Sequence, residues 1–258
     1  MGLTNPYYRI IRPKADPIDY VVDKRYAKER WQLSRAYINI ERDLRKIFDF
    51  IEPDEVNKDV FSFELYSLLL RACTEVELNC KLILMANGAK PIKKHFTMED
   101  YKKLELSSLL SKYTATFNNW RRRNKATQQL EYIDIVFQPF ASFSRSIAKA
   151  PDWYEAYNAV KHNREENLEK ASLENCMNAV AGVFILLYSQ FGSQCIETYN
   201  EAGKLYFCED DSYDNLLTAD VIFTIKAPKE SDWPSNEIYD FDWKNIKGSN
   251  EPFKKFPF

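Results

Sequence analysis

The chain is poor in the residues that mark most catalytic and structural centres. Its 258 residues include only two histidines, six glycines and five cysteines. Two histidines with no Cys-x-x-Cys pair cannot build a typical zinc site, so no metal is expected. Few glycines and no P-loop argue against a glycine-rich nucleotide-binding α/β fold, and no cofactor is implied. The Gly-x-Ser-x-Gly and His-Glu-x-x-His signatures are also missing, which removes two large hydrolase classes. Charge of one sign is missing too. With 36 basic and 38 acidic residues, no global field draws the protein to nucleic acid or a membrane.

The cysteines, Cys73, Cys80, Cys176, Cys195 and Cys208, are odd in number. The first three fall in apolar helical patterns, where a thiol behaves as a small hydrophobe. Reduced thiols of this kind suit a cytoplasm rather than a disulfide scaffold. Long apolar runs are absent. The longest, Ala179 to Tyr188, falls short of the roughly 20 residues that a spanning helix needs. The opening MGLTNPYYRIIRPKAD lacks the apolar core of a signal peptide. A soluble, cytoplasmic protein without membrane contact is expected.

What is present suffices for a large core, since 45% of residues are hydrophobic and 15% aromatic. The patterns predict a mainly α protein. A multi-helix bundle over 24–203 carries an extended N-terminal arm, 1–23, and a small strand-containing C-terminal appendage, 204–258. The arm holds three prolines, with Tyr7 and Tyr8 free to pack on the body. Helical spacing runs from Lys24 to Ile51 and stops before Pro53. Asn57 or Asp59 can cap a second helix, Val60 to Asn87, with Gly88 as its stop. Among its leucines, Arg71 and Glu75 stand four apart and can pair across one turn. That charged strip is either a solvent edge or part of a substrate-binding site. Thr97 caps a helix running to about Lys112. The basic run Trp120 to Lys125 reads as a solvated loop, its other reading being a phosphate contact. In 129–143, strand formers and Pro139 predict a strand ending at Gln138.

The centre of the chain is Asp152 to Phe191. Its second half, capped by Ser172, is apolar on nearly all sides and belongs inside the fold. Its first half places Trp153, Tyr157, Val160, Leu168 and Ala171 on one side of a helical wheel. Asn158, His162, Glu165 and Glu169 fall on the other. Glu165 and Glu166 can hold His162, and Arg164, close to the core side, needs an acid unless the helix breaks near Asn163. Lys204 to Cys208 and Val221 to Ile225 read as two short strands. From Cys208 onward 11 acidic residues face 6 basic ones, so the tail is acidic. Its seven aromatics from Trp233 onward predict packing along the body rather than disorder.

Asn158 and His162 share one helical face, with Lys161 and Arg164 near them. A histidine beside cations can act as general acid or base on a phosphodiester. An exposed histidine on a charged helix, or one clasped to a neighbouring helix, is the plainer reading of the same residues.

A helix bearing AYNAVKHNR, followed by a buried apolar helix, resembles the HEPN-like superfamily of prokaryotic helical bundles. The resemblance covers roughly 24–191, with the motif in 157–164. It implies RNA as a partner, a homodimer with the site at the dimer cleft, and either metal-independent ribonuclease activity or a binding role without chemistry. Defence and toxin–antitoxin systems are its usual settings. It assigns the polar position to Asn158 and the histidine to His162. Tyr157 stands where the superfamily has an arginine, so weak or lost activity is expected. Arg164, Lys161 or Arg71 would have to supply the cation, with Glu75 and Tyr157 lining the substrate. The rival reading is a non-enzymatic helical protein-interaction module.

Overall fold

The computed structural model describes residues 2–144, 149–196, 198–199, 205–206 and 221–258. In chain order its helices and strands are α1 (Pro17–Val21), α2 (Arg30–Phe48), α3 (Phe63–Ala86), α4 (Met98–Tyr101), α5 (Leu104–Ser108), β1 (Thr114–Arg123) and β2 (Leu130–Phe137). They continue with α6 (Asp152–His162), α7 (Arg164–Asn167), α8 (Leu173–Phe191), β3 (Thr198–Tyr199), β4 (Leu205–Tyr206), β5 (Phe223–Lys226) and α9 (Trp243–Ile246). The protein is mainly helical, with a three-stranded antiparallel sheet in the order β2-β1-β5 and a separate β3–β4 pair.

Helix α8 is the centre. From Ala179 to Phe191 each residue is buried, and α2, α3, α6 and the sheet all pack on it. Leu173–Cys195 is long and apolar enough to cross a membrane, yet 89% of its most apolar window is buried inside the fold. Such a segment is explained by its role as a core helix. Ser172 caps it, its hydroxyl accepting the Asn175 N–H. Gly192 ends it at φ +56°, and the Pro17 ring lies 3.0 Å from where a Cβ would stand. Only glycine satisfies both conditions.

Helix α3 begins at Ser62, whose Oγ accepts the Leu65 N–H at 3.1 Å. Neither Asn57 nor Asp59 is its cap. Asn57 instead closes the preceding turn by donating to the Glu52 carbonyl. Gly88, at φ +79°, stops α3 as expected. Helix α2 starts six residues later than its hydrophobic spacing suggests. The Asp23 carboxylate accepts the Arg25 N–H and binds its guanidinium, a local alternative to helix. The expected helix from Thr97 to Lys112 is split. Thr97 and Asp100 form a capping box, but Leu109 turns left-handed at φ +49°.

One sequence expectation fails around the sheet. Trp120 to Arg123 of the basic run are not a loop but the outer end of β1, and only Asn124 and Lys125 lie in the turn after it. Trp120 is buried, Arg121 pairs with Asp54 at 3.3 Å, Arg122 with Glu131, and Arg123 donates to the Gln128 carbonyl. The strand at 221–225 is real as β5, but it pairs with β1, so this sheet takes two of its three strands from mid-chain. Lys204, Phe207, Cys208 and residues 209–220 lie outside the described residues.

The two ends of the chain are zipped together. Leu3 exchanges backbone bonds with Ile238 and Asp240, and Lys254 donates to the Pro6 carbonyl. Tyr20, Tyr26, Tyr239, Trp243 and Phe253 form one aromatic cluster beneath them, with ring centroids 5.3–6.3 Å apart. The cluster joins the same core as α8. Cys73, Cys80, Cys176 and Cys195 are buried free thiols, and desolvation raises the thiol pKa of the first three well above its usual range. The capping assignment predicts that Ser62→Ala costs about 1 kcal/mol in chemical denaturation. Asp59→Ala, at a position that caps nothing, leaves the denaturation midpoint unchanged.

Candidate functional site

Helices α3 and α6 run antiparallel, and their meeting line carries most of the side chains the motif singles out. At one end the Tyr154 hydroxyl donates to Glu77 Oε1 at 2.7 Å. One turn on, Lys161 Nζ donates to the Tyr157 hydroxyl at 2.8 Å and stands 4.8 Å from that ring's centroid. At the far end the Arg164 guanidinium lies over Phe63 and Tyr66, 5.3 and 5.5 Å from the ring centroids. Each cation therefore rests on an aromatic face, a favourable electrostatic arrangement. The hydrogen bond to Tyr157 holds the Lys161 pKa above its ordinary value, working against partial desolvation.

The helix breaks where Asn163 turns out of helical geometry, at φ −146° and ψ 79°. Its Oδ1 accepts the Glu166 N–H and its Nδ2 donates to the Glu166 carboxylate. Asparagine competes for its own backbone in this way and so favours helix ends. The break has two effects. It swings Arg164 onto α3, removing its need for an acidic partner. It also takes Glu166 away from His162, and Leu168, placed on the core side by a continuous wheel, is only half-buried.

The predicted residues divide into separate groups. His162 is exposed and Asn158 half-buried, four apart on the outer side of α6. No hydrogen bond or ion pair engages the His162 side chain among the described residues. Tyr157 is core, at 2% exposure, facing α3 rather than the His162 side. Arg71 does not pair with Glu75. It reaches across to α2 and binds Asp43 at 2.7 Å, because the two helices pack closely enough for the longer link. Glu75 is left half-buried, and desolvation raises its pKa. Arg71 and Glu75 thus stand apart from His162. Three residues on the α3–α6 line, Glu77, Tyr154 and Phe63, were not singled out by sequence reasoning. The Tyr154–Tyr157 spacing signals one aromatic face of α6, but only the packing of α3 against it supplies Glu77 and Phe63.

Among the described residues no group of three or more His, Cys, Asp or Glu side chains gathers to hold a metal ion. No protein-family model, curated protein or solved structure matches the chain.

Two outcomes follow from these positions. Tyr157→Arg puts an unpaired charge in the core, since Tyr157 is 2% exposed. It should cost at least about 3 kcal/mol, read as a fall in the urea midpoint. Glu75 behaves differently. A carboxyl whose folded pKa is raised above its unfolded value costs stability when it ionises. The cost is absent below the unfolded pKa and complete above the folded one. Glu75→Gln should therefore melt higher than the parent at neutral pH, with the gap closing in acid.

Proposed function

We propose that this chain is an HEPN-like cytoplasmic protein that works as a non-enzymatic helical interaction module. Its docking surface is the outer face of α6 with the start of α3, and its partner there is a second copy. The reading is carried by the commitment of the candidate cations. Cleavage of a phosphodiester by an imidazole needs positive charge held ready for the phosphate. Lys161 is held by Tyr157, Arg164 by Phe63 and Tyr66, and Arg71 by Asp43. Beside Arg164, Phe61 and Phe63 are 47% and 60% exposed, and an exposed aromatic pair next to an arginine is the composition of an interface centre. Glu165, Glu166 and Glu169 follow directly and would repel a phosphate backbone.

The RNA-directed reading has its own support. Cations stacked on aromatic rings are the parts from which single-strand RNA platforms are built. It requires salt-dependent RNA binding, and in its enzymatic form cleavage that depends on His162.

Sedimentation of the parent protein, of His162→Ala and of Phe63→Ser/Arg164→Glu, each also incubated with a labelled single-stranded RNA, separates the two. The module reading expects a parent dimer weakened about tenfold or more by the double variant and less by His162→Ala, with RNA uncut throughout. RNA cleavage by the parent that disappears in His162→Ala would overturn it.

A further inference from the structure

On the far side of the fold from the motif, a cleft of about 840 Å³ opens between residues 11–18, the β1–β5 pair and residues 226–233. That volume lies within the range of small-molecule sites, about 300–1,000 Å³. Strand alternation decides what faces it. Along β1 and β5, Ala115, Phe117, Phe223 and Ile225 are buried, so Thr116, Thr224 and Lys226 share the opposite face. Thr116 and Thr224 are register partners, which sets their hydroxyls side by side, and Lys226 lies two residues along from Thr224. Across the cleft, Ile11, Pro13, Pro17 and Ile18 form an apolar wall.

The charges in the cleft do not cancel. Its two acids are already engaged. Glu230 pairs with Lys14 at 3.2 Å, and the Asp16 carboxylate caps α1 by accepting the Ile18 N–H at 2.9 Å. Arg12 is held by Glu237 at 2.8 Å. Lys226 and Lys229 remain, exposed and in no ion pair among the described residues; the Asp232 carboxylate near Lys229 accepts its backbone N–H and is paired with Lys112. Two ammonium groups outside any ion pair among the described residues and a hydroxyl pair on one side, with an apolar wall opposite, complement an anionic head joined to an apolar body.

We propose that this cleft binds a small amphiphilic anion, whose carboxylate, sulfonate or phosphate meets Lys226, Lys229 and the Thr116–Thr224 hydroxyls while its apolar part lies on the 11–18 wall. The probe is 1-anilinonaphthalene-8-sulfonate, which joins an aromatic body to one anionic group and brightens on leaving water. Titration of the intact protein should reveal one saturable site per chain. Lys226→Glu/Lys229→Glu should weaken it about tenfold or more, the scale of losing charge-assisted hydrogen bonds. A charge-matched control, Lys81→Glu/Lys90→Glu, changes exposed lysines outside the cleft and should bind as the parent does. Ile18→Ser should weaken the dye while keeping the charges. Circular dichroism checks that each variant is folded. Equal binding by the two double variants, or no saturable site in the parent, overturns the proposal.

Discussion

A buried guanidinium sets the terms for much of this fold. Arg9 is 3% exposed and sits in left-handed backbone at φ +58°. Burial lowers its pKa, and the Glu29 carboxylate works in the other direction. Its Nη1 donates to Gln190 Oε1 at 3.0 Å, and Gln190 Nε2 donates in turn to Asn79 Oδ1 at 2.8 Å. Asn79 Nδ2 closes the line on the Glu75 carbonyl within α3. Every member must be satisfied, because a buried polar group without a partner costs more than the bond contributes. The line therefore fixes the N-terminal segment, α8 and α3 relative to one another. Tyr26 donates to the Gln190 carbonyl and Ile11 to that of Ser189, so the last turn of α8 is pinned from outside as well.

Fixing that end of α8 has consequences at both surfaces. Residues 11–18 are laid against Gly192, where they become the apolar wall of the cleft. On the other side α3 keeps its register against α8, and α6 packs on both. Lys161 and Arg164 then meet aromatic rings rather than His162. The distribution of cations is thus a product of helix packing, and it carries the argument for binding over cleavage.

The helices with long hydrophobic periods were legible in the sequence. Helix α8, its Ser172 cap and the Gly88 stop of α3 were all readable, because burial on several sides and left-handed stops leave direct marks on residue choice. Boundaries set by side chains competing for local backbone were not, as Asp23 and Leu109 show. Strands β2 and β5 were legible and β1 was not, because a strand's partner is a tertiary fact: YIDIVF looks like a strand, but RRR looks like a loop until Asp54 and Glu131 lie beside it. The motif itself could be read along α6, whereas the grouping of its side chains was hidden. Asn163 was one of two possible endings for α6, and that single break decides whether Arg164 faces the core or lies over the aromatic rings of α3. Arg9 gave no signal at all, since nothing local distinguishes a buried arginine in an extended segment from an exposed one.

The most direct measurement of this dependence is a double-mutant cycle on Arg9→Met and Gln190→Leu by chemical denaturation. Each single change strands a buried polar partner and should cost about 3 kcal/mol for the arginine and somewhat less for the glutamine. The double variant should cost less than the two together, with a coupling of at least about 1 kcal/mol. Strictly additive losses, or an Arg9→Met protein as stable as the parent, would contradict the account.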